Sequence, residues 1–135
     1  RQAVNAYKKA LEVAPGYEAA AINLAMLYRG MDRVVEMNTA YSDVLKANPA
    51  AYQAAYNLAV ERERSGQTQE ALDAYRIAVR GGGEMGLFSK LRMGSLFASA
   101  GQPDSARVAL QAFKARWKGD VRHLQTADRL LNTLR

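Results

Sequence analysis

Tyr7, Tyr41 and Tyr75 are spaced 34 residues apart, and the same interval separates Pro15 from Pro49, Asn23 from Asn57 and Leu24 from Leu58. A fixed self-spacing of this size, filled by the same residue types, is the signature of stacked helix–turn–helix repeats. One such repeat cannot bury its apolar face alone, so it must stack on its neighbours. The product is a quasi-one-dimensional surface rather than a pocket around a reaction centre. The recurrence therefore speaks for a binding scaffold and names no partner.

Apolar spacing is helical along the whole chain, and Gly or Pro divides it into segments of about 14 residues. Residues 1–14 read as a helix with Ala3, Tyr7, Ala10 and Leu11 on its apolar face, ended by Ala14-Pro15-Gly16. A second helix over 17–29 carries Ala21, Leu24, Ala25 and Tyr28 and closes near Gly30. A third, roughly 33–47, carries Val34, Met37, Tyr41 and Val44 and stops before Pro49. Further helices are expected at 51–65, at 68–80 before Gly81-Gly82-Gly83, at 86–100, and at 103–117, where Pro103 suits the first helical turn. The last runs from about 121 to 134 with Asp120 as its N-cap.

The signature of the tetratricopeptide repeats is Trp-x2-Leu-Gly-x2-Tyr followed by Ala, Phe and Pro at set distances. Here it falls first on Ala21, Leu24, Ala25, Tyr28, Met37, Tyr41, Val44 and Pro49. It recurs on Ala55, Leu58, Ala59, Arg62, Gly66, Ala71, Tyr75, Ala78 and Gly83, and again on Met93, Gly94, Phe97, Gly101, Ala106, Leu110 and Phe113. No repeat keeps the first Trp, and Met37 and Arg62 stand where a small residue and a tyrosine are usual. The sequence nonetheless resembles the tetratricopeptide-repeat family over nearly its whole length. The resemblance implies an all-α, right-handed superhelical solenoid of antiparallel helix pairs, about eight helices in all. Residues 1–16 would be the second helix of a truncated repeat, 17–50, 51–85 and 86–118 three repeats, and 119–135 a capping helix. Ala59 with Ala71, and Gly94 with Ala106, would let paired helices approach closely, while Tyr75 and Leu110 would fill the space between repeats.

In the family, the first helices of the repeats line a concave face that contacts peptides. One position there holds Asn23, Asn57 and Arg92 in successive repeats. With neighbouring helices about 8–10 Å apart, these side chains would form a ladder matching about three residues of an extended peptide. Asparagine can hold a peptide amide, and arginine can grip a carboxylate in a fork. Tyr56, Arg29 and Arg64 would flank the groove. Some members clamp the C-terminal tails of chaperones with lysines on first helices. Ala19, Gln53 and Phe88 occupy that place here, so no such clamp is expected.

The remaining chemistry is bounded by what is missing. Among 135 residues there is no cysteine, and the single histidine, His123, lies among polar residues without a partner at metal-ligand spacing. Gly81-Gly82-Gly83 is not followed by the Lys-Ser/Thr of a phosphate loop, and Glu61 and Glu63 point to different helix faces. No enzyme activity and no cofactor are expected. No apolar run approaches the ~20 residues needed to cross a bilayer. The net charge of +6 belongs to residues 86–135, which hold nine basic side chains against Asp104, Asp120 and Asp128. A basic end can attract an acidic peptide, a phosphate backbone or an acidic neighbouring domain, and a solvated helix surface is the plainer reading. The expected partner is a protein or peptide. Nucleic acid is disfavoured because exposed aromatics are few and no established motif is present. Because the chain opens at Arg1 inside a helix, it is expected to join further domains or repeats. An alternative role is then a regulatory or positioning module of a larger enzyme such as a glycosyltransferase, sulfatase-like hydrolase or kinase. The lone Trp117 is expected to pack between the fourth repeat and the cap.

Overall fold

The structure is a computed structural model that describes residues 2–134. Among the described residues there are eight α-helices and no strands: α1 (Gln2–Val13), α2 (Glu18–Gly30), α3 (Val34–Ala47), α4 (Tyr52–Arg64), α5 (Thr68–Arg80), α6 (Gly83–Ser99), α7 (Pro103–Arg116) and α8 (Val121–Thr133). Residue contacts divide the chain into two compact units, the first ending at Leu58 and the second beginning at Ala59, inside α4.

In the first unit α2 packs on both α1 and α3. Its buried stripe is Ala20, Ala21, Leu24, Ala25 and Tyr28, met by Met37, Tyr41 and Val44 of α3. The many alanines let helix backbones approach, and the tyrosines and Leu24 fill the gaps that remain. Two expectations shift by about a residue. Val4, not Ala3, is the buried anchor of α1, and Val34 is 45% exposed because α3 starts there and its first turn extends beyond the contact. The turns before α2 and before α4 are stitched together: Asn48 Nδ2 donates to the Gly16 carbonyl (3.1 Å), and Glu18 accepts from the Ala54 N–H (3.1 Å). A Cβ on Gly16 would lie 3.0 Å from that of Asn48, so the glycine gives this junction room.

In the second unit α6 packs against α5, α7 and α8, and α7 also meets α8. Every one of these contacts joins helices that are consecutive or one apart. Ala71, Leu72, Tyr75 and Ala78 are buried on α5, and Leu91, Phe97, Leu110 and Phe113 on α6 and α7. The close approach at Gly94 is to Leu110 rather than to the expected Ala106: an added Cβ would fall 2.5 Å from Leu110 Cδ2. Gly86 likewise lies against the last turn of α5, where a Cβ would sit 3.0 Å from the Val79 carbonyl oxygen. α6 starts at Gly83, three residues ahead of the expected 86, so only Gly81 and Gly82 form the turn.

The turns after α2, α4 and α6 are one motif used three times. Asp32, Gly66 and Gly101 take positive φ (61°, 75° and 73°) at matching positions. After each, the next N–H reaches back five residues to a helix carbonyl: Arg33 to Tyr28 (2.8 Å), Gln67 to Arg62 (2.9 Å) and Gln102 to Phe97 (2.9 Å). These are Schellman closures, which satisfy helix-end carbonyls and suit glycine at the left-handed position. α2 therefore runs through Gly30, and its closing turn is made at Asp32, which tolerates that conformation better than most non-glycine residues.

Candidate functional site

The expected contact residues lie on first helices, in two separate environments. On α2, burial of residues 20, 21, 24, 25 and 28 turns Asn23 outward, on the same face as Met26, which is 59% exposed. Asn23 makes no hydrogen bond among the described residues, so its amide is free at both ends. On α4, Asn57 is half-buried, and its Oδ1 accepts from Gln53 Nε2 at 3.0 Å, one turn earlier. That bond orients the Asn57 amide and leaves its two N–H groups to donate. Tyr56 is half-buried beside it, and Arg29 is exposed near the end of α2. Asn23, Arg29, Tyr56 and Asn57 all belong to the first unit.

Arg64 and Arg92 belong to the second unit and are already engaged there. Arg64 pairs with Glu61 one turn back on α4, at 3.3 Å. Arg92, half-buried on α6, closes a fork on Glu63: Nε donates to Oε1 at 3.4 Å and the terminal nitrogen to Oε2. Tyr75 Oη donates to the same Oε1 at 2.7 Å. The hydrogen bond to Glu63 holds the Arg92 guanidinium above its ordinary pKa, against the opposing pull of burial. The fork that sequence reasoning assigned to a peptide carboxylate thus grips a carboxylate of its own chain. Glu63, read from the sequence only as pointing to a different helix face from Glu61, is the residue that was missed. Its partners come from α5 and α6, so no local spacing announces it.

The end of the second unit holds the other polar and aromatic cluster. Trp117 stacks on Phe113 with ring centres 5.0 Å apart, and its Nε1 donates to the Asp120 carbonyl at 3.0 Å. Leu124, Leu130, Leu131 and Leu134 pack on the same core, as does Phe88. This is the packing role expected of Trp117 between α7 and α8. A Cβ on Gly119 would fall 2.5 Å from the Trp117 ring, so that glycine lets the indole lie over the turn. His123 is not among polar groups as expected. Its ring meets the edges of Phe88 (4.9 Å) and Trp117 (5.5 Å), because the α8 face that carries the leucines also turns it inward. Asp120 caps α8, accepting from the Arg122 N–H at 2.9 Å and from its guanidinium at 2.9 and 2.6 Å. Those side-chain bonds, then the backbone one, lower its pKa to about 2. Lys114 of α7 pairs with Asp128 of α8 across the same junction.

Among the described residues, no three His, Cys, Asp or Glu side chains are grouped as a metal site requires, and no helix is long and apolar enough to cross a membrane. What the arrangement offers chemically is hydrogen bonding and apolar contact.

No protein-family model matches the sequence, and no curated protein matches it either. Solved structures do. Two crystal structures of MamA superpose with TM-scores of 0.74 and 0.71, each at 19% identity over 96% of this chain and 75% and 73% of theirs. YrrB, described as a TPR protein with an unusual peptide-binding site, superposes with a TM-score of 0.73 at 22% identity. That match covers 95% of this chain and 66% of YrrB. At such identities the likeness speaks for the fold alone. The run of eight helices, the thrice-used turn and the 34-residue recurrence of this chain agree with it. This chain is an all-α helical solenoid with the tetratricopeptide-repeat fold.

Proposed function

We propose that the chain is a protein-interaction scaffold that holds a peptide segment on its first helices, through Asn23 and Asn57. The observation that carries this reading is the pair itself. Two asparagines stand at one repeat position on α2 and α4, the first with its whole amide unpaired and the second with both amide hydrogens available. Unpaired amides on a rigid helix present donors and acceptors at fixed spacing, which suits a peptide backbone and adds nothing to folding. Tyr56 supplies apolar area beside them and Arg29 a positive charge. Arg92 contributes only to a ligand whose carboxylate outcompetes Glu63. The tetratricopeptide-repeat fold supports the same role, since repeat solenoids bind along their stacked helices.

Peptides selected on the immobilised chain from a randomised display library test the reading. In the Asn23→Ala/Asn57→Ala double variant, selected peptides should bind at least about tenfold more weakly, the loss expected when two hydrogen-bonding side chains are removed. Unchanged affinity in that variant, with its helical circular dichroism intact, refutes the assignment.

A further inference from the structure

Grooves of similar size lie in both units, about 490 Å³ in the first and about 460 Å³ in the second. Every residue lining the second except Lys90 has its counterpart in the first, two repeats earlier. Lys8 matches Arg76 on one edge, Leu24 and Tyr28 match Met93 and Phe97 on the floor, and Thr39 and Asp43 match Val108 and Ala112 on the other edge. The groove itself is therefore a product of the repeat: the gap over a first helix between the second helices that flank it. Its chemistry is not.

The first groove carries Glu12, Glu36 and Asp43, and Glu36 is further tied to Arg33 at 2.7 Å. The second has no carboxylate in its lining. There Ser105 replaces the acid at position 36, and Val108, an apolar side chain 70% exposed, replaces a threonine. Its charges are both positive. Arg76 is shared with Asp73 at 2.9 Å, whereas Lys90 has no ion-pair partner among the described residues. Residues 86–135 hold nine basic side chains against three acidic ones, a surplus of six. A positive field of that kind draws acidic ligands and fixes their register.

We propose that the groove between α5 and α7, floored by α6, is a second docking surface, and that it takes an acidic amphipathic peptide. Apolar side chains of the ligand cover Met93, Phe97 and Val108, and a carboxylate meets Lys90. A volume near 460 Å³ falls within the range of specific ligand sites. The open valine edge suits a chain lying along the groove rather than a molecule enclosed in it. The proposal uses none of Asn23, Tyr56 or Asn57, so it stands or falls separately from the reading above.

The test uses the full chain and a labelled peptide of about 12 residues, enough for three helical turns, with leucines on one face and glutamates on the other. Saturable binding is expected, with amide chemical-shift changes centred on Val79, Met93, Phe97 and Val108, and with affinity that falls as salt rises. The variant Ser105→Glu/Val108→Thr/Ala112→Asp transplants the first groove's edge at positions that are exposed or half-exposed, so its melting temperature should stay near that of the parent. It should bind at least about tenfold more weakly, as loss of an interface's anchoring contacts does. Val35→Thr, on an exposed valine elsewhere, should leave binding unchanged. Equal affinity in the triple variant overturns the proposal, as does equal binding of a peptide with lysines in place of glutamates. It is equally overturned by shifts confined to α2 and α4, or by the absence of saturable peptide binding.

Discussion

Gly94→Ala adds one methyl group, and the structure makes its cost calculable. The new Cβ would sit 2.5 Å from Leu110 Cδ2 and 2.6 Å from Cγ, against the ~3.5–4.0 Å of a comfortable carbon contact. Leu110 is fully buried in a cluster with Leu91, Phe113 and Ala127, so it cannot swing away without displacing them. Overpacking of this kind costs about 1–3 kcal/mol, and replacing a helical glycine with alanine returns about 1 kcal/mol. The net expectation is a loss of about 1 kcal/mol for Gly94→Ala and at least about 3 kcal/mol for Gly94→Leu, which must place three further carbons. Gly30 supplies the control. It is helical too, nothing lies within 4 Å of its Cβ position, and Gly30→Ala should gain a few tenths of a kcal/mol. Urea unfolding of the three variants reads these values directly. Shortening the neighbour in Gly94→Ala/Leu110→Val should recover part of the loss, giving a coupling above about 0.5 kcal/mol. If Gly94→Ala is as stable as the parent, or strictly additive with Leu110→Val, the close packing of α6 on α7 is wrong.

Three other outcomes follow from the same coordinates. Gly66→Ala forces a side chain into φ 75° and should cost about 1 kcal/mol in urea unfolding, whereas Asp32→Gly at the matching turn should be neutral or slightly stabilising; a Gly66→Ala variant as stable as the parent, or a clearly destabilised Asp32→Gly, would disprove the shared turn. Glu63→Gln leaves the half-buried Arg92 without its counter-charge and should cost about 1–2 kcal/mol, less in an Arg92→Met background; additivity of the two would mean the pair contributes no coupling. The Asp120 carboxylate is held down to about 2 from an ordinary 3.8, so its contribution is complete above pH 3.8 and is lost as pH falls towards 2. A carboxyl-carbon NMR titration should place its midpoint near 2, and Arg122→Ala should move it back up; a midpoint near 3.8 in the parent contradicts the Asp120–Arg122 bonds.

The repeat is legible in the chain because its packing positions are one-dimensional. Tyr41 and Tyr75 are buried at positions fixed by the same interval that reveals them, and Leu58, Ala59, Ala71 and Phe113 follow in step. Turn chemistry was partly hidden by residue type: the glycine nearest the end of α2 is Gly30, but counting one repeat back from Gly66 lands on Asp32, which does the turning. Side-chain partnerships were not legible. The Glu63–Arg92–Tyr75 cluster joins three helices, and only their packing brings an acid from α4 within reach of a guanidinium on α6. His123 shows the same limit. Its sequence neighbours are polar, yet the α8 helix turns it towards Phe88 and Trp117. That Asn23, Asn57 and Arg92 share one repeat position is a matter of register and could be read directly, whereas the engagement of Arg92 with Glu63 could not.

A crystal structure of the chain with a display-selected peptide tests the scaffold reading most directly. The account places peptide backbone along α2 and α4, with its amides bonded to the side chains of Asn23 and Asn57. A peptide that leaves both asparagines untouched, wherever else it sits, contradicts it.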